Sequence, residues 1–262
     1  MRADYHIHTS FSEDSECPME DMVRQAISQG LDEICFTEHF DYGLPRPEAV
    51  CDSTIYYPKV LEMQEKYGDT ITIKCGAEFG AQMETIPDYV REFAAHPFDF
   101  IILSCHQIDG KEFWLQDFQR GKTQDEINRQ YYESIYQVMT HYTDYSILGH
   151  LDAIKRDDPY GFYDDDQVMD LIETILKKVI ADGKGIEVNT SSFKYKLPDL
   201  TPSRKIIEKY HELGGEIITI GSDAHDAARL EDHFDVVKQV LRDIGFTHFY
   251  TFTQMQPIRH PL

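Results

Sequence analysis

Six histidines and three carboxylates of this chain stand in short polar strings, each behind a run of apolar or β-branched residues. The strings are His6-Ile7-His8, Thr37-Glu38-His39, Gly76-Ala77-Glu78, Ser104-Cys105-His106, Gly149-His150 and Ser222-Asp223-Ala224-His225, with Asp14 shortly after the first. Imidazole and carboxylate together are the donor set of a catalytic zinc, manganese or iron site rather than of a closed structural one. His6 and His8 lie two apart, so on a strand both rings leave the same face. Asp223 and His225 repeat that spacing near the other end of the chain. Glu78 closes an apolar run, where a carboxylate is costly unless it is paired or bound to an ion, and bridging two ions suits it. Taken singly, His106 reads as a hydrogen-bonded core histidine and Asp14 as part of a Ser/Asp turn. The recurrence of the same kind of string at successive strand ends argues for metal instead. The other six histidines (His96, His141, His211, His233, His248 and His260) have no such string and read as surface or packing residues. Nine donors exceed the roughly four to six of a binuclear centre and suggest three divalent ions, zinc, manganese or iron. Such ions make a hydrolytic nucleophile by lowering the pKa of water.

Elements able to bring these strings together can be read from periodicity. Strands are expected at residues 3–7, 33–37, 71–76, 98–104, 145–149, 185–189 and 216–221, with 247–251 as a candidate eighth. Helices are expected at 19–29, 56–67, 85–94, 123–143, 165–181, 203–213 and 232–243. Short strands alternating with longer amphipathic segments predict a mainly parallel α/β sheet. Near-continuous apolar strands such as Phe100-Ile101-Ile102-Leu103 are those of a sheet covered on both faces. An open doubly wound sheet binds its ligand at one switch point. Here polar strings end nearly every strand, and only a closed or nearly closed ring gathers all those ends on one rim.

The chain has 262 residues, 41% of them apolar, which suits one barrel domain spanning 1–262. A net charge of −22 disfavours a polyphosphate partner, so no nucleic acid is expected, while a small anionic substrate is compatible with a metal that inverts the local field. No apolar leader and no run long enough to span a membrane is seen, so a soluble, cytoplasmic protein is expected. Five cysteines without a CxxC pair fit a reducing compartment, with Cys35 and Cys75 as small core residues.

The strings resemble those of the PHP (polymerase and histidinol phosphatase) superfamily. Its opening HxHxxxS pattern reads here His6-Ile7-His8-Thr9-Ser10-Phe11-Ser12, and the later strings, with Glu187-Val188-Asn189-Thr190-Ser191, follow in the family's order over nearly the whole chain. The resemblance implies a distorted, TIM-like (β/α)7 barrel with a trinuclear site. His6, His8, Glu78 and Asp223 would hold one ion, and Glu78, His106 and His150 a second, with Glu78 bridging. Asp14, His39 and His225 would hold the third. Many relatives have His where Asp14 stands, and a hard anionic ligand there shifts preference toward manganese or iron. Asp14, His39, Asp223 and His225 would be the catalytic members of this set.

Length and the strings Gly149-His150-Leu151-Asp152 and Glu187–Ser191 look like the stand-alone histidinol-phosphate phosphatases of that superfamily, which implies a metal-dependent phosphomonoesterase acting on L-histidinol phosphate. Alternatives are a PHP phosphoesterase with another small phosphate ester or nucleotide, and an amidohydrolase-type hydrolase. The latter usually needs a strand-end lysine, where this chain has Glu78, and lacks the extra His39. Arg156 is the expected phosphate clamp, because its planar fork suits a monoester. Lys155 is a second choice, and Asn189 and Ser191 are expected to line the pocket. Tyr56, Tyr57 and Trp114 read as core, with stacking on an imidazole ring as the alternative.

Overall fold

Apolar strands and amphipathic helices alternate along the computed structural model, which describes residues 1–262. In chain order they are β1 (Ala3–Ile7), α1 (Met19–Gln29), β2 (Glu33–Phe36), β3 (His39–Phe40), α2 (Ser53–Tyr67), β4 (Thr72–Gly80), α3 (Ile86–Ala95), β5 (Phe100–Ser104), β6 (Gln107–Ile108), β7 (Lys111–Glu112), α4 (Gln124–His141), β8 (Ile147–Leu148), α5 (Met169–Ala181), β9 (Gly185–Asn189), α6 (Ser191–Tyr195), α7 (Arg204–Glu212), β10 (Ile218–Gly221), α8 (Phe234–Ile244), β11 (His248–Thr253) and β12 (Gln256–Pro261). Side chains set several helix starts. Thr123 and Glu126 form a reciprocal capping box before α4, and Asp52 caps α2 by accepting from the Thr54 amide at 3.0 Å.

Seven strands run parallel in the order β1-β2-β4-β5-β8-β9-β10. The ring closes through one parallel bridge between Ile7 and Ala224, supported by the His8 amide donating to the Ala224 carbonyl at 2.9 Å. The architecture is therefore a nearly closed, distorted (β/α)7 barrel: the alternation predicts the parallel ring, and the family resemblance implies its seven-fold, distorted form.

Strand parity sorts the side chains. Ile34, Phe36, Cys75, Ala77, Phe79, Ile101, Leu103, Ile186, Val188, Ile218 and Ile220 face the helices in the main core of 57 buried residues. Their neighbours point into the barrel, where Ala3, Tyr5, Cys35, Phe100, Ile102, Ile147, Phe249 and Phe252 fill the lower half. The upper half is polar. In β4 and β9 the inward positions become Glu78, Glu187 and Asn189, all fully or almost fully buried. On β1 the ladder slips between Asp4 and Ile7, and this irregularity lets Tyr5 join the lower plug while His6, one residue on, faces Glu78 and Glu187.

The candidate eighth strand at 247–251 is not a barrel stave. It becomes β11, which pairs antiparallel with β12. Gln254 and Met255 between them both take positive φ, 49° and 63°, the two-residue turn that matches hairpin twist. Phe249 and Phe252 of this hairpin close the lower mouth of the barrel. The strand expected at 145–149 shrinks to Ile147–Leu148, and the short helix α6 follows β9 without a period long enough to announce it. No helix is long and apolar enough to cross a membrane.

Candidate metal centre

Glu78 is the hub of the upper barrel. Its Oε2 lies 3.2 Å from His6 Nε2, 3.4 Å from His8 Nε2 and 3.0 Å from His39 Nδ1. Its Oε1 lies 2.9 Å from His150 Nε2 and 3.2 Å from His106 Nε2, and accepts from Ser104 Oγ at 2.7 Å. Asp223 Oδ1 stands 3.7 Å from His6 Nε2 and 3.6 Å from His8 Nε2. On the outer side Asp14 Oδ2 is 2.9 Å from His225 Nε2 and 3.6 Å from His39 Nε2. The structure thus brings all nine expected donors into one cluster. Sets of three within it, His6/His8/Asp223, His6/Glu78/His150 and His8/His39/His225, each place their donor atoms within 4.8 Å of one another.

The backbone permits this crowding at two glycines. A Cβ at Gly149 would strike Ser104 and Ile102, and one at Gly80 would strike Asp41 and His106.

Partners outside the cluster fix the ring orientations. His6 Nδ1 is 2.6 Å from Glu187 Oε1, and His106 Nδ1 is 2.9 Å from Asp41 Oδ1. His8 Nδ1 is 3.2 Å from Ser12 Oγ, and that hydroxyl donates to Glu38 Oε2 at 2.6 Å. Glu38 also accepts from Thr9 Oγ1 at 2.6 Å and from the Thr9 amide. In each case one ring nitrogen is engaged behind, which leaves Nε2 directed at the cluster. Glu38, Asp41 and Glu187 lay outside the sequence assignment. Asp41 sits two residues after His39, a same-face spacing that could have revealed it, whereas Glu187 and Glu38 stood in quoted strings without a role.

The electrostatics are those of a strongly coupled site. Burial alone would raise the carboxyls of Glu78 and Asp223. The surrounding imidazoles, together with Arg156 at Asp223, outweigh it and hold both well below the ordinary carboxylate range. Burial would lower His6, His39 and His106, but adjacent carboxylates hold all three up, His106 to about 10. His8 is pushed down by burial and by the imidazoles of His39, His225 and His6. Burial pushes Glu38 up to about 7.

His6 Nε2, His8 Nε2, His39 Nδ1, His225 Nε2 and Glu78 Oε2 are buried without a hydrogen-bond partner of good geometry. Such orphans are costly in a protein interior. Five of them converging, all imidazole nitrogen or carboxylate oxygen, match the coordination chemistry of divalent metal.

A cavity of about 540 Å3 opens above the cluster, lined by Asp14, His39, His106, His150, Asp223 and His225 on the inner side, and by Glu13, Arg46, Glu112, Trp114, Arg156, Asp157 and Tyr195 farther out. Arg156 reaches it from the 3-10 turn Ala153–Arg156, with Nη2 donating to Ser191 Oγ at 2.6 Å and lying 3.3 Å from Asp223 Oδ2. Its guanidinium also packs 4.8 Å from the Tyr195 ring. Lys155 is not brought into the cavity. One position earlier on the tight turn, it points away and pairs with Asp152 at 2.8 Å and Asp165 at 2.7 Å. Asn189 and Ser191 do not line the cavity either: both are buried beneath it, where Asn189 Oδ1 accepts from Ser191 Oγ at 2.5 Å and Ser191 in turn steadies Arg156. Tyr56 is fully buried core, whereas Trp114 is exposed at the cavity mouth.

A PHP domain model matches residues 4–191, from β1 to the start of α6. The chain belongs to the PHP domain family. Among relatives of this PHP protein, the histidinol-phosphatase of Lactococcus lactis is 32% identical over 97% of this chain and 96% of its own length. A probable histidinol-phosphatase of Thermotoga maritima is 30% identical, covering 94% of this chain and 93% of its own. In three dimensions the chain is similar to the histidinol phosphate phosphatase of Lactococcus lactis complexed with zinc, L-histidinol and phosphate, with a TM-score of 0.88, 29% identity and 98% of both chains covered. The putative histidinol phosphatase of Listeria monocytogenes shares the fold at a TM-score of 0.78 and 20% identity, over 90% of this chain and 99% of its own.

Proposed function

We propose that this PHP protein hydrolyses L-histidinol phosphate to L-histidinol and inorganic phosphate at a centre of three divalent cations. The observation that carries the substrate is the match, over nearly the whole of both chains, to a structure holding zinc, L-histidinol and phosphate. His6, His8, Glu78 and Asp223 would hold one cation, Glu78, His106 and His150 a second, and Asp14, His39 and His225 the third. When bound, such cations polarise phosphoryl oxygens and lower the pKa of water enough for attack near neutral pH.

The chain's own residues supply the rest. Arg156, held between Asp223, Ser191 and Tyr195, presents a guanidinium to the phosphate oxygens. Asp14, His39, Asp223 and His225 line the cavity and are the groups that meet the reacting phosphate ester. The leaving alcohol carries an ammonium and an imidazole. Glu112 and Glu13 are engaged by Arg46, so the outer wall offers the Asp157 carboxylate for the first and the Trp114 face for the second. This pairing gives a preference for a cationic, aromatic alcohol over a sugar.

Phosphate release from L-histidinol phosphate, compared with sugar phosphates, nucleotides and phenyl phosphate in the presence of manganese or zinc, tests the reading. It expects kcat/KM for histidinol phosphate to exceed the others by at least about 100-fold, toward the roughly 10⁴-fold by which a site built to bond a substrate group rejects an analogue lacking it. Faster turnover of another ester would name that ester as the substrate class instead.

A further inference from the structure

Asp14 is the most exposed of the nine donors, with its side chain 52% accessible, and it lies in the irregular segment between β1 and α1. What holds it is found at its neighbours. On one side, Ser15 Oγ donates to the carbonyl of His225 at 2.9 Å. On the other, Glu13 is ion-paired to Arg46, whose second Nη pairs with Glu112 on β7. Trp114 Nε1 donates to the same Glu112 carboxylate at 2.9 Å, and its ring lies 5.9 Å from the Arg46 guanidinium carbon. The loop carrying Arg46 is itself stitched to β3, where the Cys51 amide donates to the His39 carbonyl at 2.8 Å and the Asp41 amide to the Ala49 carbonyl at 2.9 Å. One guanidinium therefore joins the Asp14 segment, the loop that returns to His39, and the β6–β7 hairpin.

We propose that Arg46 is a positioning residue that fixes Asp14 relative to His39 and so assembles the outermost metal position. Three carboxylates, Glu13, Asp14 and Glu112, crowd this rim of a chain whose net charge is −22. Without a cation between them Glu13 and Glu112 repel, and Glu13 draws Asp14 outward with it. The planar fork gives each carboxylate its own Nη at a fixed spacing, whereas a lysine bridges two carboxylates only where both converge on one nitrogen, as at Lys155.

The inference rests on the reading of Asp14, His39 and His225 as ligands of one ion. Its test is elemental analysis of dialysed protein. Arg46→Ala and Glu13→Gln should each carry one ion fewer per chain than wild type. Both should need about tenfold more manganese to regain turnover, the scale seen when a ligand loses its support. Arg46→Lys should resemble Arg46→Ala rather than wild type. A wild-type ion count in Glu13→Gln, with unchanged manganese requirement, overturns the proposal. Glu13→Gln preserves size and decides alone if Arg46→Ala does not fold. Ion counts do not depend on the substrate, so wild-type protein inert toward histidinol phosphate would sink the proposed function and leave this test standing.

Discussion

The floor and the rim of the cavity hold chemically similar side chains by different means. At the floor, His6, His8, Glu78 and His150 are at most 2% exposed; they project from or directly follow the barrel strands β1, β4 and β8, so their Cα positions are set by the ladder. Glu187, Ser12 and Ser104 lock the rings and the carboxylate from behind. At the rim the side chains of Asp14, His39, His106 and His225 are 14% exposed or more; His39 sits on the short strand β3 beside Glu78, and the other three depend on props, namely Asp41, Ser15 and the Arg46–Glu13 pair. Loops opened by a few weak contacts are the parts of a fold that yield first. Ions at the floor should therefore exchange slowly, and an ion at the rim readily.

Substitutions can break that contrast. Glu78→Gln removes the hub and should lower kcat by about 10³-fold, the upper range for losing one electrostatic contact to a transition state, with loss of more than one ion per chain. Asp14→Ala should lower kcat by about 10²-fold with loss of a single ion, and excess manganese should not restore it. Equal ion losses in the two variants would erase the distinction between floor and rim. Arg156→Ala should raise KM by about 10- to 100-fold, as expected for one charge-assisted hydrogen-bonding group, while the ion count stays that of wild type. Asp41→Asn and Glu187→Gln sharpen the comparison. Each should weaken metal by about 10- to 100-fold, Asp41→Asn at the ion of Glu78, His106 and His150 and Glu187→Gln at the ion held through His6, which chelator-release kinetics resolve.

The smallest effect is in pH. In metal-free protein, burial lowers His106 but Asp41 and Glu78 raise it further, to about 10 against an ordinary 6.5. A raised histidine stabilises the fold fully below 6.5 and loses that contribution as pH climbs toward 10. Metal must displace the same proton. From pH 7 to 9 the metal-free protein should thus melt at lower temperature while its apparent metal affinity rises. Parallel trends in calorimetry and metal titration would contradict this.

Much of this was legible because barrel chemistry is written at strand ends. The strings around His6, Glu78, His106 and Asp223 followed apolar runs of strand length, and the two-residue spacing alone put His6 and His8 on one face. The misreadings come from geometry that no periodicity carries. Lys155 and Arg156 are adjacent, yet the 3-10 turn that ends in Arg156 sends their side chains to opposite sides. Arg46 meets Glu13 and Glu112 across long separations, and only the folded loops make them neighbours. Residues 247–251 have the composition of a barrel strand, but the turn after them folds the chain back on itself.

β1 meets the segment just after β10 at a single bridge, Ile7 to Ala224, and Asp4 supports the join by accepting from the amides of Ser222 at 3.0 Å and Glu231 at 2.9 Å. His6 and His8 lie on one side of the join, Asp223 and His225 on the other. A ribosome must therefore deliver almost the entire polypeptide before any cation could span the gap, and a cation bound there would act as a clasp between two segments far apart in the chain.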